Sequence, residues 1–586
     1  MGDDGEVIHT VTTVAILGGG VGGLSAAQEL AERGFAVTVY EAHDVFGGKA
    51  RSMPVPGSGT GTNEDLPAEH GFRFFPGFYW HVTDTMKRIP ARGATVYDRL
   101  TTCTEILMAQ ADGRNEIIAP AGIPKSWDAL VDGLRALRAM VLETGIPMAE
   151  FAVFVERMIV MMTSCDERRL GEFEAQSWWD FVEADTKSLA YRKFLATGMT
   201  RTLVAAKAEE MSARTGGAIL CQLIFDMLQL DSRVDNVLDG PTSEVWIDPW
   251  VEHLTKCGVT FRPGCRVSGI GCDGRRITGV TVTTARGDEN VDADFYIAAL
   301  PVEKFRLLVS PAMRAADPRL QLLGKLQCDW MTGIMFYLDT DVPLEHGHAI
   351  FIDSEWALTA ISQKQFWPDV DLERRGDGRV EGILSVDVSA WDVPGPVTGK
   401  VATACSKDEI RQEVWAQLVD HIDDGTLDEA NVIDWFLDPA IEFPNPGAAT
   451  NAEPLLINTK SSWVNRPDAV TAIPNLFLAA DFVRTHTDLA TMEGANEAAR
   501  AAVNGILHAT GSTHRRCGVR KLQEPWVLWP FRQLDRLRWK LRRPAKAPFR
   551  LDAAGELTPT GPMARACLAA ARMGGKGTFL TDGGQR

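Results

Sequence analysis

The sequence predicts an α/β fold built on a parallel sheet, and three stretches near its start predict it. Val11–Leu17 is a β-branched, apolar run of strand length. It passes into Gly18-Gly-Gly-Val-Gly-Gly23 and then Leu24–Arg33, where Ala27 and Leu30 stand three residues apart, as in a helix packed on a sheet, and Gly34 ends it. Ala36–Glu41 is a second strand. Strand, glycine turn, helix and strand in about thirty residues make a Rossmann-like βαβ unit, and such units build parallel sheets.

The remaining elements follow in chain order. Residues 124–230 are Met- and Leu-rich with little proline, and Met148–Met162 and Leu203–Leu230 read as helices. Val245–His253 is helical, and the strands Val259–Phe261 and Ile277–Thr283 flank the turn Asp273-Gly274. Ala293–Leu300 is a buried strand stopped by Pro301. Gly333–Leu338 and Gly382–Val388 are strands, Ile410–Ile422 a helix, Asn475–Ala479 a buried strand and Met492–His508 a long Ala-rich helix. These changes of style divide the chain into segments at 1–100, 101–235, 236–305, 306–440 and 441–512, with 101–235 helical and 306–440 a mixed sheet; together they predict a Rossmann-like part and a discontinuous α+β part. A basic tail occupies 513–586.

Bulk properties exclude several classes. The 586 residues carry 60 Lys+Arg against 78 Asp+Glu, a net charge of −18 that disfavours general nucleic-acid binding. Hydrophobic residues at 45% and charged residues at 24% are ordinary for a globular protein and exclude wholesale disorder. No apolar run approaches the ~18–20 residues of a membrane span. The opening MGDDGEVIHT lacks the apolar segment of a secretory signal. Ten cysteines are scattered with no C-x-x-C pair, which predicts reduced thiols in the cytoplasm and no metal site.

Gly18-x-Gly20-x-x-Gly23 has the spacing of a dinucleotide turn. Gly18 permits the tight bend, Gly20 the approach of a pyrophosphate and Gly23 close helix–strand packing, with Gly22 inside the same turn. The helix start offers unpaired N–H groups to an anion. Glu41 ends the next strand, where a carboxylate accepts hydrogen bonds from ribose hydroxyls and repels a 2′-phosphate. That favours FAD or NAD over NADP.

Glu41–Arg51, with Gly47, Gly48, Lys49 and Arg51, resembles the second glycine pair of the FAD-dependent amine oxidase and phytoene desaturase superfamily. That resemblance implies contacts from this segment to the flavin or its phosphates. Asn475–Asp481 followed by Thr491-Met-Glu-Gly-Ala-Asn496 resembles the family's C-terminal flavin motif, although Ala480 replaces the usual glycine. It implies that Asp481 binds a ribityl hydroxyl and that the helix opening at Met492 faces the flavin. Gly264-Cys-Arg-Val267 resembles the segment that pairs with adenine, most closely at Val267. The resemblance spans residues 11–510 and implies FAD as cofactor.

Pro67–Tyr79 resembles the stretch beside the isoalloxazine ring in phytoene desaturase-like and hydroxysqualene dehydroxylase-like proteins. Its density of aromatic residues suits an apolar ligand, with ordinary core packing the alternative for each. Glu69 and His70 are candidate proton carriers, and Arg73 is a candidate anion or flavin holder. Trp463 resembles the aromatic cage wall of amine oxidases, whereas Lys325 reads as a surface residue. The resemblance thus implies a desaturase- or dehydrogenase-type enzyme that moves hydride between flavin and an apolar, isoprenoid or other lipid substrate. Two alternatives stay open: an oxygen-dependent oxidase of a small amine, and a non-catalytic flavin-binding scaffold. The electron acceptor is not specified.

His514–Arg550 carries 12 Lys/Arg against 2 Asp/Glu, so the rest of the chain holds about −28. Leu534, Leu537 and Leu541 share a helical face. Arg532, Arg536, Arg538, Lys540, Arg542 and Arg543 supply cations, and Trp526, Trp529 and Trp539 supply interfacial rings. This predicts either peripheral contact of residues 520–545 with the inner face of a membrane or docking of the apolar face on the protein's own acidic body.

Overall fold

A computed structural model of the chain describes residues 11–111, 117–120, 145–198, 200–201, 206–227, 235–552, 555 and 557–573. The apolar runs of the first segment form the strands Thr13–Leu17 and Ala36–Tyr40, joined by the helix Val21–Ala31. They sit inside a five-stranded, wholly parallel sheet in the order Thr260–Arg262, Ala36–Tyr40, Thr13–Leu17, Phe295–Ala298 and Leu476–Leu478. Three widely separated parts of the chain thus build one sheet, and the α/β class is the one the glycine turn predicted. Ile16, Leu17, Val39, Ile297 and Leu478 are fully buried in its core. The helix Met492–Ala509 packs directly on Val21–Ala31, because small residues line both: Gly22 lies against the Ala479 and Ala495 carbonyls.

A second, mixed sheet of seven strands runs in the order Val432–Leu437, Thr332–Leu338, Gly382–Val388, Leu358–Ser362, Gly347–Phe351, Glu105–Ala109 and Ile117–Pro120. One face is apolar and takes Ile410, Val414, Trp415 and Leu418 from the helix Lys407–His421. That helix starts with a complete Ser406/Glu409 capping box. The other face receives Val55, Leu66 and Ala68 from the segment that follows the nucleotide turn. In this way the segment carrying Glu69, His70 and Arg73 is laid across the second sheet.

Two boundaries differ from the sequence expectation. Residues 101–235 supply not only helices, such as Met148–Thr163 and Ala213–Met227, but also two strands of the seven-stranded sheet. Glu105–Ala109 is too short to show a decisive period; Leu107 and Ala109 turn one face into the core. The hairpin Ile441–Asn451 packs through Ile441, Phe443 and Ala449 on the same core, not on the five-stranded sheet. Parts of the expected helices at 124–147 and 203–230 lie outside the described residues, as does the tail beyond 573.

The tail helix Trp529–Lys540 docks on the helical part through Phe531 and Asp535, both buried. Asp535 pairs with the fully buried Arg168 at 3.0 Å and caps the Cys165 N–H, also at 3.0 Å. Trp539 faces inward, over Gly171 and the Arg168 guanidinium, so it is not an interfacial ring. Arg532 and Arg536 pair with Glu524 and Glu167. Arg538, Lys540, Arg542 and Arg543 have no carboxylate partner among the described residues. Leu534, Leu537 and Leu541 are 45%, 55% and 57% exposed, and Trp526 and Trp529 exceed 60%. The apolar face therefore points away from the body. The docked face is held by Phe531, Trp539 and the buried Arg168–Asp535 ion pair, which hydropathy along the sequence does not reveal.

Candidate active site

The nucleotide turn is shaped by close backbone approach. Gly18 adopts φ +107°, a conformation that disfavours any side chain, and a Cβ there would lie 2.6 Å from the Ala299 oxygen. A Cβ on Gly22 or Gly23 would overlap the carbonyl oxygen of Ala479 or Gly18. Gly20 is different: its nearest neighbour would be Gly48 Cα at 3.7 Å, so the fold has room for a Cβ and the need for glycine falls on the ligand side. Gly20 also caps the helix without a side chain, and the first turn holds no acid. The positive helix end is therefore left for an anion.

The ends of this cleft meet across the sheet. Gly47 bridges to Gly20, and both Gly47 and Gly48 adopt positive φ. Glu41 accepts hydrogen bonds from Gly19 N–H at 2.7 Å through Oε2 and from His43 N–H at 2.9 Å through Oε1. Each oxygen keeps a second lone pair for a ribose hydroxyl. Gly264 and Cys265 donate their N–H groups to the carbonyls of His43 and Glu41, which brings the Val267 strand beside Glu41. Asp481 follows the last parallel strand; its carbonyl takes Arg466 Nη2 at 2.9 Å, and the described residues give its half-buried carboxylate no partner. Met492 opens the helix that Thr491 caps. A glycine cradle, an open helix end and a ribose-side carboxylate fit an FAD.

Lys49 and Arg51 behave otherwise than expected. Lys49 Nζ pairs with Glu303 at 3.2 Å and contacts the Pro454 carbonyl. Arg51 is buried and forms a forked pair with Glu453 at 3.0 and 3.1 Å. Their charges are already balanced, so they fasten the Gly47–Gly48 turn to residues 453–454 rather than standing free for a phosphate.

The same Glu453 reaches the substrate side. His43 and Arg51, with His70 beyond them, hold its carboxyl well below the usual range although burial alone would raise it. His70 is buried, its Nδ1 in contact with Asp438 and 3.9 Å from Glu453. Among the described residues its Nε2 has no hydrogen-bond partner. Glu69 is buried and accepts Thr242 N–H at 2.8 Å. Burial pushes its carboxyl up to about 7, against the pull of Arg73. Asp387 lies against Gly71, and burial raises it likewise to about 7, against Arg73 and His348. Arg73 donates to the Lys49 carbonyl at 2.6 Å, and burial holds its guanidinium below its ordinary value despite Glu69, Asp387 and Asp438. Glu69, His70 and Arg73 thus lie together with Asp387, Asp438 and Glu453. No local motif marks these three acids; the one signal is the rule that a buried His or Arg needs a partner.

Trp463 is not part of this group. Arg214 lies over its ring at 4.0 Å, with Arg466 and Arg484 at 5.9 Å. Its face is filled by guanidinium, so it offers no wall to an ammonium. Lys325 is exposed at the end of a 3₁₀ helix, as its sequence suggested.

Comparison with known proteins agrees with this geometry. Residues 21–507 match the family model of flavin containing amine oxidoreductases. The chain is 24% identical over 319 residues to 15-cis-phytoene desaturase of Synechococcus elongatus and 27% identical over 349 residues to zeta-carotene desaturase of Synechocystis. These matches cover 54% and 56% of this chain and 63% of each relative, so the chain spans under two thirds of their length. Among solved structures, putrescine oxidase bound to putrescine superposes with a TM-score of 0.56 at 14% identity, over 85% of this chain and 99% of that one. Cyclohexylamine oxidase from Brevibacterium oxydans gives 0.56 at 14%, over 86% and 100%. At such identity the two oxidases report the fold alone.

Proposed function

This chain belongs to the flavin containing amine oxidoreductase family and is an FAD-dependent oxidoreductase, and we propose that it is a desaturase- or dehydrogenase-type enzyme acting on an apolar lipid, of isoprenoid kind, taken from a membrane surface. The observation that carries this reading is the tail helix, docked by Phe531 and Asp535 with Leu534, Leu537, Leu541, Trp526 and Trp529 turned outward beside Lys540, Arg542 and Arg543, which have no carboxylate partner among the described residues. Such a face suits an anionic bilayer, where each cation near the surface contributes about 1 kcal/mol. A small water-soluble amine would have no use for it. The guanidinium over Trp463 counts further against an amine cage.

Bound FAD supplies a hydride acceptor and donor at its isoalloxazine ring. Around it, Gly18–Gly23 and the first helix end bind the diphosphate, Glu41 orients the adenosine ribose, and Asp481 and the Met492 helix hold the flavin end. On the substrate side, Asp438 and Glu453 fix the His70 ring, which takes or returns a proton at Nε2. Glu69, whose carboxyl burial raises to about 7, is the second proton site.

Two measurements test the proposal together. Purified protein should sediment with vesicles containing phosphatidylglycerol but not with phosphatidylcholine alone, and Leu537→Asp should reduce binding at least tenfold. Mass spectrometry should find isoprenoid lipid in extracts of the purified protein. Peroxide release from a panel of small amines, without vesicle binding, would instead make the protein an amine oxidase.

A further inference from the structure

Three chemically distinct side chains meet beside the aromatic segment, in a place the flavin chemistry does not use. Cys103 follows the strand Leu100–Thr102, and Asp235 precedes the strand Asn236–Leu238 that pairs with it. The Cys103 N–H donates to the Asp235 carbonyl at 3.0 Å, which sets the two side chains in register. His348 arrives on a third strand, Gly347–Phe351, which pairs with Glu105–Ala109 just after Cys103. Gly347 makes this approach possible, since a Cβ there would overlap the Glu105 carbonyl and lie 3.4 Å from Cys103 Cβ. All three residues are buried, at 1%, 3% and 8% exposure, and their ligand atoms lie within 4.8 Å of one another.

We propose that Cys103, Asp235 and His348 form a binding site for a divalent transition ion of the zinc type. A thiolate, an imidazole and a carboxylate together match the borderline-soft preference of zinc, and the thiolate excludes calcium and magnesium. With zinc bonds of about 2.0–2.3 Å, ligand atoms within 4.8 Å of one another close on an ion once the 2.6 Å His348 Nδ1–Asp235 Oδ2 contact opens. Charge argues in the same direction. Asp235 Oδ2 lies 2.6 Å from His348 Nδ1, and among the described residues its Oδ1 has no hydrogen-bond partner. With a divalent ion, thiolate and carboxylate balance the charge to zero. Binding releases the Cys103 thiol proton and takes up His348 Nδ1, which leaves the imidazole proton on Nε2, a nitrogen without a hydrogen-bond partner among the described residues. Asp387 lies within electrostatic reach of His348 and is the acceptor type that commonly orients a metal-bound imidazole. Phe72 and Phe74 pack on the His348 ring at 5.1 and 5.3 Å, so the ion would brace the segment that presents Arg73. Sequence spacing predicted no metal site, because these ligands are far apart in the chain and meet only through strand pairing.

The test uses the full-length flavoprotein dialysed against zinc and then desalted. About one zinc per chain is expected by elemental mass spectrometry, falling at least tenfold in Cys103→Ala and His348→Gln while the flavin spectrum is retained. Should those variants fail to fold, the wild-type protein is stripped and titrated with Co2+. Tetrahedral absorption in the red, beyond that of oxidised flavin, is then expected at one equivalent. Less than about a tenth of an ion per wild-type chain, equal zinc in both variants, or no tetrahedral cobalt band would each overturn the proposal. None of these results bears on FAD binding or on the lipid substrate.

Discussion

The two sheets place groups beside a ligand in opposite ways. The five-stranded sheet does it with backbone: Gly18, Gly20 and the bare start of the helix Val21–Ala31 present N–H groups and empty space. The seven-stranded sheet does it with side chains, bringing Asp387 on one strand and Asp438 just beyond another against Glu69, His70 and Arg73. A backbone site must be written in glycine, and glycine is visible at short spacing. A side-chain site needs only one suitable residue per strand, and the topology does the rest.

The largest effect is expected where the two designs are joined. Glu453 balances Arg51 on the nucleotide side and faces His70 on the substrate side. Glu453→Ala leaves a buried guanidinium unpaired, a loss of about 3–5 kcal/mol. Denaturant unfolding should show it together with weakened flavin retention, whereas Glu453→Gln should recover part of both. Equal stability of Glu453→Ala and wild type would mean that the sheets are held together by other contacts.

Within the backbone site, Gly22→Ala and Gly20→Ala separate packing from binding. At Gly22 the new methyl overlaps the Ala479 carbonyl, and overpacking should cost about 3 kcal/mol and displace the helix Met492–Ala509. At Gly20 the new Cβ meets nothing closer than 3.7 Å, so stability should stay within about 0.5 kcal/mol while FAD affinity falls at least tenfold. Loss of stability at Gly20, or of FAD alone at Gly22, would reverse the assignment.

This contrast explains what could be read from the chain. The parallel sheet was legible because Val11–Leu17, the glycine turn and Ala36–Glu41 are contiguous and their period is unambiguous. Asp387, Asp438 and Glu453 were not, since an acid at the end of a strand is ordinary until the sheet order places it beside a buried cation. Trp463 misled for a related reason. An aromatic residue at a suggestive distance from a motif says nothing of what covers its ring, and here Arg214 comes from the helix Ala213–Met227. The tail helix was half legible. Its apolar stripe was evident, but which face docks was decided by Asp535 finding Arg168.

The substrate-side carboxyls should announce themselves in the pH dependence of stability. Burial raises Glu69 from 4.5 to about 7 in the folded protein. A raised carboxyl contributes stability that is fully present below pH 4.5 and is lost as pH rises through 7. Glu69→Gln has no such loss. Relative to the variant, the wild type should therefore weaken by about 3 kcal/mol between pH 4.5 and 8, most steeply between pH 5 and 7. Parallel unfolding curves at pH 5 and pH 8 measure it. A constant difference between the two proteins would place Glu69 in a solvated setting and remove it as a proton site.

The smallest effect belongs to Trp463, and it distinguishes a cage wall from a platform for arginine. Stacking under Arg214 at 4.0 Å is worth about 1 kcal/mol at a partly buried position. Trp463→Leu should lose roughly that amount, Arg214→Met should lose more because Asp488 is left without its 2.6 Å partner, and the double variant should lose less than the sum. FAD retention should be the same in all three. If Trp463→Leu were fully stable yet abolished turnover of an amine, the guanidinium would have to leave the ring when substrate binds, and the lipid assignment would give way to the amine oxidase.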